Sequence, residues 1–241
     1  MTGDGWTQAV RRRLGLGRVL PLGGAADGTW VTEAAAGAVL RHAAREVPGI
    51  RVNGLRIALA DQDRAYAAAV PPPPSALPPG PLRITAEVAA SPEQPLPAAT
   101  ARLRTALSGA ADRLGLVVDE VDLRVTALLD EGADPDEAAD RPPGEGATSA
   151  SAAPEGDSDA ARAARAALAV PGVTRLTEEL GPAVQWEEHP APDALARRHA
   201  RVEIATDREH RALDVALAVR AAVGDAVPGH PSVAVLVTAV E

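Results

Sequence analysis

The 241-residue chain contains no cysteine, no lysine and no phenylalanine, and aromatic residues make up only 2% of it. Without cysteine there can be no disulfide, no thiolate nucleophile and no cysteine-based zinc site. Without lysine there is no Schiff-base amine and no phosphate-loop lysine. All 24 basic residues are arginine; with alanine, glycine and proline so abundant, this fits a GC-rich coding bias and carries little functional weight. Few aromatics mean a core of small and branched side chains, each burying modest area. No apolar run approaches the roughly 18 residues of a membrane span, and the N-terminus has no continuous apolar signal core. The expectation is a soluble, cytoplasmic protein.

Charge is concentrated rather than spread. Residues 130–158 and Asp159 hold ten acids against Arg141 alone, which accounts for the whole net charge of -9. The remainder of the chain is formally balanced. Residues 130–158 also lack large apolar side chains, so they cannot bury enough surface to offset chain entropy. They read as a disordered acidic linker between a first unit, 25–129, and a second, 159–241.

Each unit shows the same succession of patterns. Leu82, Ile84, Ala86 and Val88 alternate with Arg83, Thr85 and Glu87, a strand with one buried face and one wet face. Leu103, Leu107, Ala110 and Leu114 then share one side of a helix that Gly115 ends. Val121, Leu123 and Val125 alternate with Asp122 and Arg124 in a further strand. Upstream, Thr29-Trp30-Val31 forms a short strand and Thr32 is the N-cap of a helix stopped at Val47-Pro48-Gly49-Ile50. Leu55, Ile57 and Leu59 then make another strand. The second unit opens with Ser158 or Asp159 as N-cap and an alanine-rich helix ending at Val170-Pro171-Gly172-Val173. It continues with a strand marked by Val184 and Trp186 and a loop marked by Pro190 and Pro192. Arg201 to Ile204, a helix from about Asp207 to Ala226, and a strand from Val233 to Val240 complete it. The fold class expected is α+β: two tandem two-layer units in α-β-β-α-β order, each a three-stranded sheet with two helices on one face. Pro71 to Pro74, with Pro78, Pro79 and Pro81, is an extended connection between strands or a tract for a proline-recognising module.

Residues 1–24 stand apart as an N-terminal arm. Trp6, Val10 and Leu14 share a helical face beside Arg11, Arg12 and Arg13. These six are the candidate contact residues, for an anionic membrane surface or a partner groove. An arm folded onto its own domain is the competing reading.

Three stretches resemble the alkaline-shock, or Gls-type, envelope stress response family: Trp30-Val31-Thr32-Glu33, Ala43-Ala44-Arg45-Glu46-Val47-Pro48-Gly49 and Glu120-Val121-Asp122-Leu123-Arg124-Val125. The likeness spans about 27–129 and, more loosely, 159–241. It implies a non-enzymatic protein of an actinobacterial cell, a cytoplasmic scaffold recruited to the inner face of the membrane. Its partners would be a small anchor protein, other members of the family, or copies of itself in a homo-oligomer.

No residue pattern argues for chemistry. His42, His189, His199, His210 and His230 show no helical ligand spacing. His189 beside Glu187 and Glu188 comes nearest to a ligand cluster and reads as a solvated loop. No Gly-x-Ser-x-Gly elbow is present. Gly15-x-Gly17 follows no strand and opens no long helix, which makes a dinucleotide-binding reading weak. The expectations are no catalytic residue, no cofactor and no metal. A tandem RNA-binding protein is the alternative, but stacking aromatics on a sheet and a basic Gly-x-x-Gly loop are both missing, and the units carry no excess positive charge.

Overall fold

Alternation and capping in the first unit produce the elements expected of them. In the computed structural model, which describes residues 15–129, 156–191 and 194–241, with the backbone alone over 189–191 and 194–197, Thr32 Oγ1 accepts the N–H of Ala35 and starts helix α1 (Glu33–Arg45). Gly49, at φ 75°, turns the chain straight into β3 (Ile50–Leu59). β3 pairs antiparallel with β4 (Leu82–Ala90), and β4 pairs in parallel with β5 (Val118–Leu128). Between them α2 (Leu96–Leu114) ends at left-handed Gly115. This three-stranded sheet is covered on one face by α1 and α2; Leu103, Leu107, Ile84 and Ala86 are buried together there. Thr85 and Glu87 on the opposite face are exposed, as the alternation requires.

The second half repeats that order with a more elaborate sheet. Ser158 caps α3 (Asp159–Leu168). β6 (Val173–Leu176) and β7 (Val184–Ala191) both pair antiparallel with β8 (Ala194–Thr206), and on the same side of it. They are one strand interrupted by an excursion over 177–183. Helix α4 (Ala212–Ala226) leads to β9 (Ser232–Val240), which pairs in parallel with β8.

The overall class is therefore α+β, but the second sheet departs from three strands. It has six, because the interrupted strand counts as β6 and β7 and because β1 (Val19–Leu22) and β2 (Thr29–Thr32) join: β1 pairs antiparallel with β2, and β2 pairs in parallel with β9. Residues 19–22, expected within an arm, are thus a buried sheet edge. Burial explains this: Leu20, Leu22 and Val31 lie in one apolar core with Leu40, Val219 and Val237, so the two halves share their interior. Two boundaries also differ. β7 runs through Pro190, where a loop was expected, because proline's missing donor is harmless on an edge strand. α4 begins at Ala212 rather than Asp207, because the Asp207 carboxylate accepts the N–H groups of Glu209 and His210 and holds a turn there. The acidic stretch lies outside the described residues except for 156–158, which form a bend.

Candidate functional site

Trp6, Val10, Arg11, Arg12, Arg13 and Leu14 all lie outside the described residues, so the arm's contacts have no structural account. Among the described residues the structure brings together two other groups of polar side chains.

The first is a cleft of about 630 Å³ where the halves meet. Val39 and Ala43 of α1, Leu114 of α2, Ala212 of α4 and Val240 of β9 give it apolar walls. Its rim mixes His42, Arg113, Arg208 and His210 with Glu46, Asp112 and Glu209. Several of these groups are already engaged. His210 Nδ1 lies 2.9 Å from Asp207 Oδ2. Hydrogen bonds from the His210 backbone, and then from its ring, hold the Asp207 carboxyl below the usual carboxylate range. Arg211 donates to the Asp112 carbonyl at 3.1 Å, tying the α4 side of the cleft to the end of α2. The mixture of signs suits a docking groove better than a site for one charged substrate.

The second group is buried. On β8 the side chains of Ala200, Val202 and Ile204 enter the core under α3 and α4, while His199, Arg201 and Glu203 point to the opposite face. Sequence alternation made that face wet; the structure covers it. The excursion over 177–183 and the proline-rich connection over 60–81 lie across it, and Val70 and Leu180 pack with Trp30, Ala234 and Leu236. The proline tract is a lid on the second sheet, with Pro73 buried and the Leu77 N–H donated to the Val19 carbonyl at 2.8 Å. His199 Nδ1 is 2.9 Å from Ser232 Oγ. Arg201 donates to Gln185 Oε1 at 2.5 Å and stands 3.4 Å from Glu203. Glu203, fully buried, accepts the backbone N–H groups of Glu179 (2.7 Å) and Leu180 (3.1 Å). Burial raises the Glu203 carboxyl to about 7, outweighing the two N–H donors and the Arg201 charge, which act the other way. This row is a clamp on the excursion. No sequence signal distinguished it from the exposed alternation of β4.

The Glu187, Glu188 and His189 trio lies in β7, not in a loop. Among the described residues no group of three histidines or carboxylates could hold a metal ion. No helix among them is long and apolar enough to cross a membrane. No protein-family model and no curated protein sequence matches the chain.

Proposed function

We propose that the chain is a non-enzymatic scaffold of alkaline-shock type, recruited from the cytoplasm to the inner face of the membrane by a small anchor protein and serving envelope homeostasis. The observation that carries this reading is where the residues of the resemblance fall. Thr32 caps α1, the Val47–Gly49 turn passes the chain from α1 to β3, and Glu120 to Val125 form the middle of β5. All three stretches set architecture rather than chemistry, and the α-β-β-α-β order around them recurs in the second half. The exposed face of the first sheet carries paired charge, Arg83 meeting Glu120 at 2.5 Å, and beside it Arg64 of the β3-to-β4 connection meets Asp119 of β5 at 2.6 Å. Such a surface suits a protein partner better than a polyanion.

The test is co-sedimentation with cell membranes, comparing the full chain with a deletion of residues 1–14. The deletion stops there because Val19–Leu22 is a buried strand. Recruitment by the full chain that is lost on stripping the membranes of protein supports the anchor. Replacing Trp6 and Leu14 with alanine then asks whether the arm is the contact. Micromolar binding of single-stranded RNA that weakens steeply with salt, with no membrane recruitment, would replace this reading with the RNA-binding one.

A further inference from the structure

β5 and β9 occupy the same place in their units, each added in parallel after the unit's second helix. Their outer edges differ. β9 is paired along its outer edge by β2, from Thr29↔Val235 to Val31↔Val237. No strand among the described residues takes the outer edge of β5. Residues 156–158, which lead into α3 as β2 leads into α1, are a bend. β5 is 11 residues long, and its Val125 and Leu128 are 37% and 61% exposed. An open strand edge of that length, with apolar side chains, is a template for another strand.

The groups it offers can be assigned. Arg104 reaches over from α2 to place Nε 3.3 Å from the Val121 carbonyl, so that carbonyl faces away from β4. Strand alternation then turns the N–H and C=O of Leu123 and Val125 to the same open side, and those of Asp122 and Arg124 toward β4. The side chains of Val121, Leu123 and Val125 stand on the helix-covered face, level with Ile84, Ala86 and Val88. Asp122 and Arg124 stand on the wet face.

We propose that this edge binds the same edge of a second copy of the chain, antiparallel, about a two-fold axis at Leu123. Asp122 then sits opposite Arg124 of the second copy, and Arg124 opposite its Asp122. Val121 meets Val125, and Val118 meets Leu128, so apolar face continues apolar face. Neighbouring registers are less favourable. A centre at Arg124 sets the two Arg124 side chains opposite each other; a centre at Asp122 opposes the two Asp122 side chains and gains Arg124 pairs only to Glu120, which Arg83 already holds; and a one-residue slip sets the apolar face of one copy against the charged face of the other. The charge pattern of β5 therefore favours the register centred at Leu123. Asp122 and Arg124 fall at the non-hydrogen-bonded positions, where cross-strand side chains come closest. Arg104, on the exposed side of α2, exchanges the Val121 carbonyl for solvent. The proposal does not depend on the alkaline-shock reading.

Sedimentation velocity on the full chain from about 1 to 300 µM tests it, a range suited to an interface made mainly of two strand edges. A concentration-dependent dimer is expected. Arg124→Asp should weaken it about tenfold or more, because two attractive cross-strand pairs become two repulsive ones. Asp122→Arg combined with Arg124→Asp should restore it. Both positions are exposed, and thermal unfolding followed by circular dichroism checks that the variants fold. Three results would each overturn the proposal: a monomer at every concentration, a dimer indifferent to Arg124→Asp, or a charge swap that fails to restore association. A monomer whose β5 amides are nevertheless protected from exchange would assign the edge to another segment of its own chain.

Discussion

Replacing Glu203 with glutamine tests whether the buried clamp on β8 works as the geometry says. The carboxyl is raised to about 7 against a reference near 4.5, the cause being burial. A carboxyl whose folded value lies above its unfolded value holds a proton in the folded state that the unfolded chain releases. Its contribution to stability is complete below about pH 4.5 and is lost as pH rises through 7. A displacement of that size corresponds to about 3 kcal/mol across the window. Glutamine keeps an oxygen for the N–H groups of Glu179 and Leu180 and cannot ionise, so the variant should lack this slope. Two constant offsets accompany the change: Arg201 loses its charged neighbour, and the new amide needs a partner. The informative quantity is therefore the difference between wild type and variant as a function of pH. Urea unfolding at pH 4.5, 5, 6, 7 and 8, followed by tryptophan fluorescence, measures it, since Trp30 lies on the same face of the sheet. Wild type should lose about 3 kcal/mol relative to the variant between pH 4.5 and 8. A flat difference curve would mean that Glu203 ionises as it does in the unfolded chain, and that water reaches the clamp.

Three further outcomes follow from the packing. Gly115→Ala should cost about 2 kcal/mol or more in chemical denaturation, because φ is 96° and a Cβ there collides with Leu213 of α4; an unchanged midpoint would contradict the close approach of α2 and α4. Thr32→Val should cost about 2 kcal/mol, because it removes both the cap bond to Ala35 and the bond to the Thr238 carbonyl while keeping the shape; a neutral result would mean the hydroxyl is dispensable. Cleavage at a protease site engineered within residues 130–155 should leave the two fragments together on gel filtration in native buffer, because β2 stays paired with β9 and the core is continuous; separation without denaturant would show that the shared core does not hold the halves together.

What sequence could reveal was local. The Thr32 and Ser158 caps, the glycine ending α2, the turn at Val47–Gly49 and the alternation in β4 each depend on neighbouring residues, and each is found where the pattern puts it. What it missed was long-range. β1 is four residues with a proline inside and glycines close by, a poor strand signal. It forms because β2 offers it an edge, and β2 in turn is held by β9, some two hundred residues away. The buried row of His199, Arg201 and Glu203 has the same alternating signature as Arg83, Thr85 and Glu87. Nothing within either strand says which row is covered. The candidate contact residues of the arm lie outside the described residues.

That pair of rows shows how the halves differ. In the first half the β3-to-β4 connection is long, and it leaves its own sheet to lie across the second one, seating Val70 against Trp30 and Leu236. In the second half β7 ends at Ala191 and β8 begins at Ala194, so the corresponding connection is short. The first half also lends β1 and β2, while residues 156–158 lend no strand to β5. Every one of these contributions runs the same way. The second sheet gains a lid and a padded edge, and its polar row becomes a structural clamp. Among the described residues Thr85 and Glu87 of the first sheet stay exposed and no strand pairs with the outer edge of β5. Among the described residues this leaves the first sheet's open edge, together with the cleft between the halves, as surface for exchangeable partners. If the chain works as a scaffold, its contacts belong on the β4–β5 side of the first sheet and are not repeated symmetrically on the second.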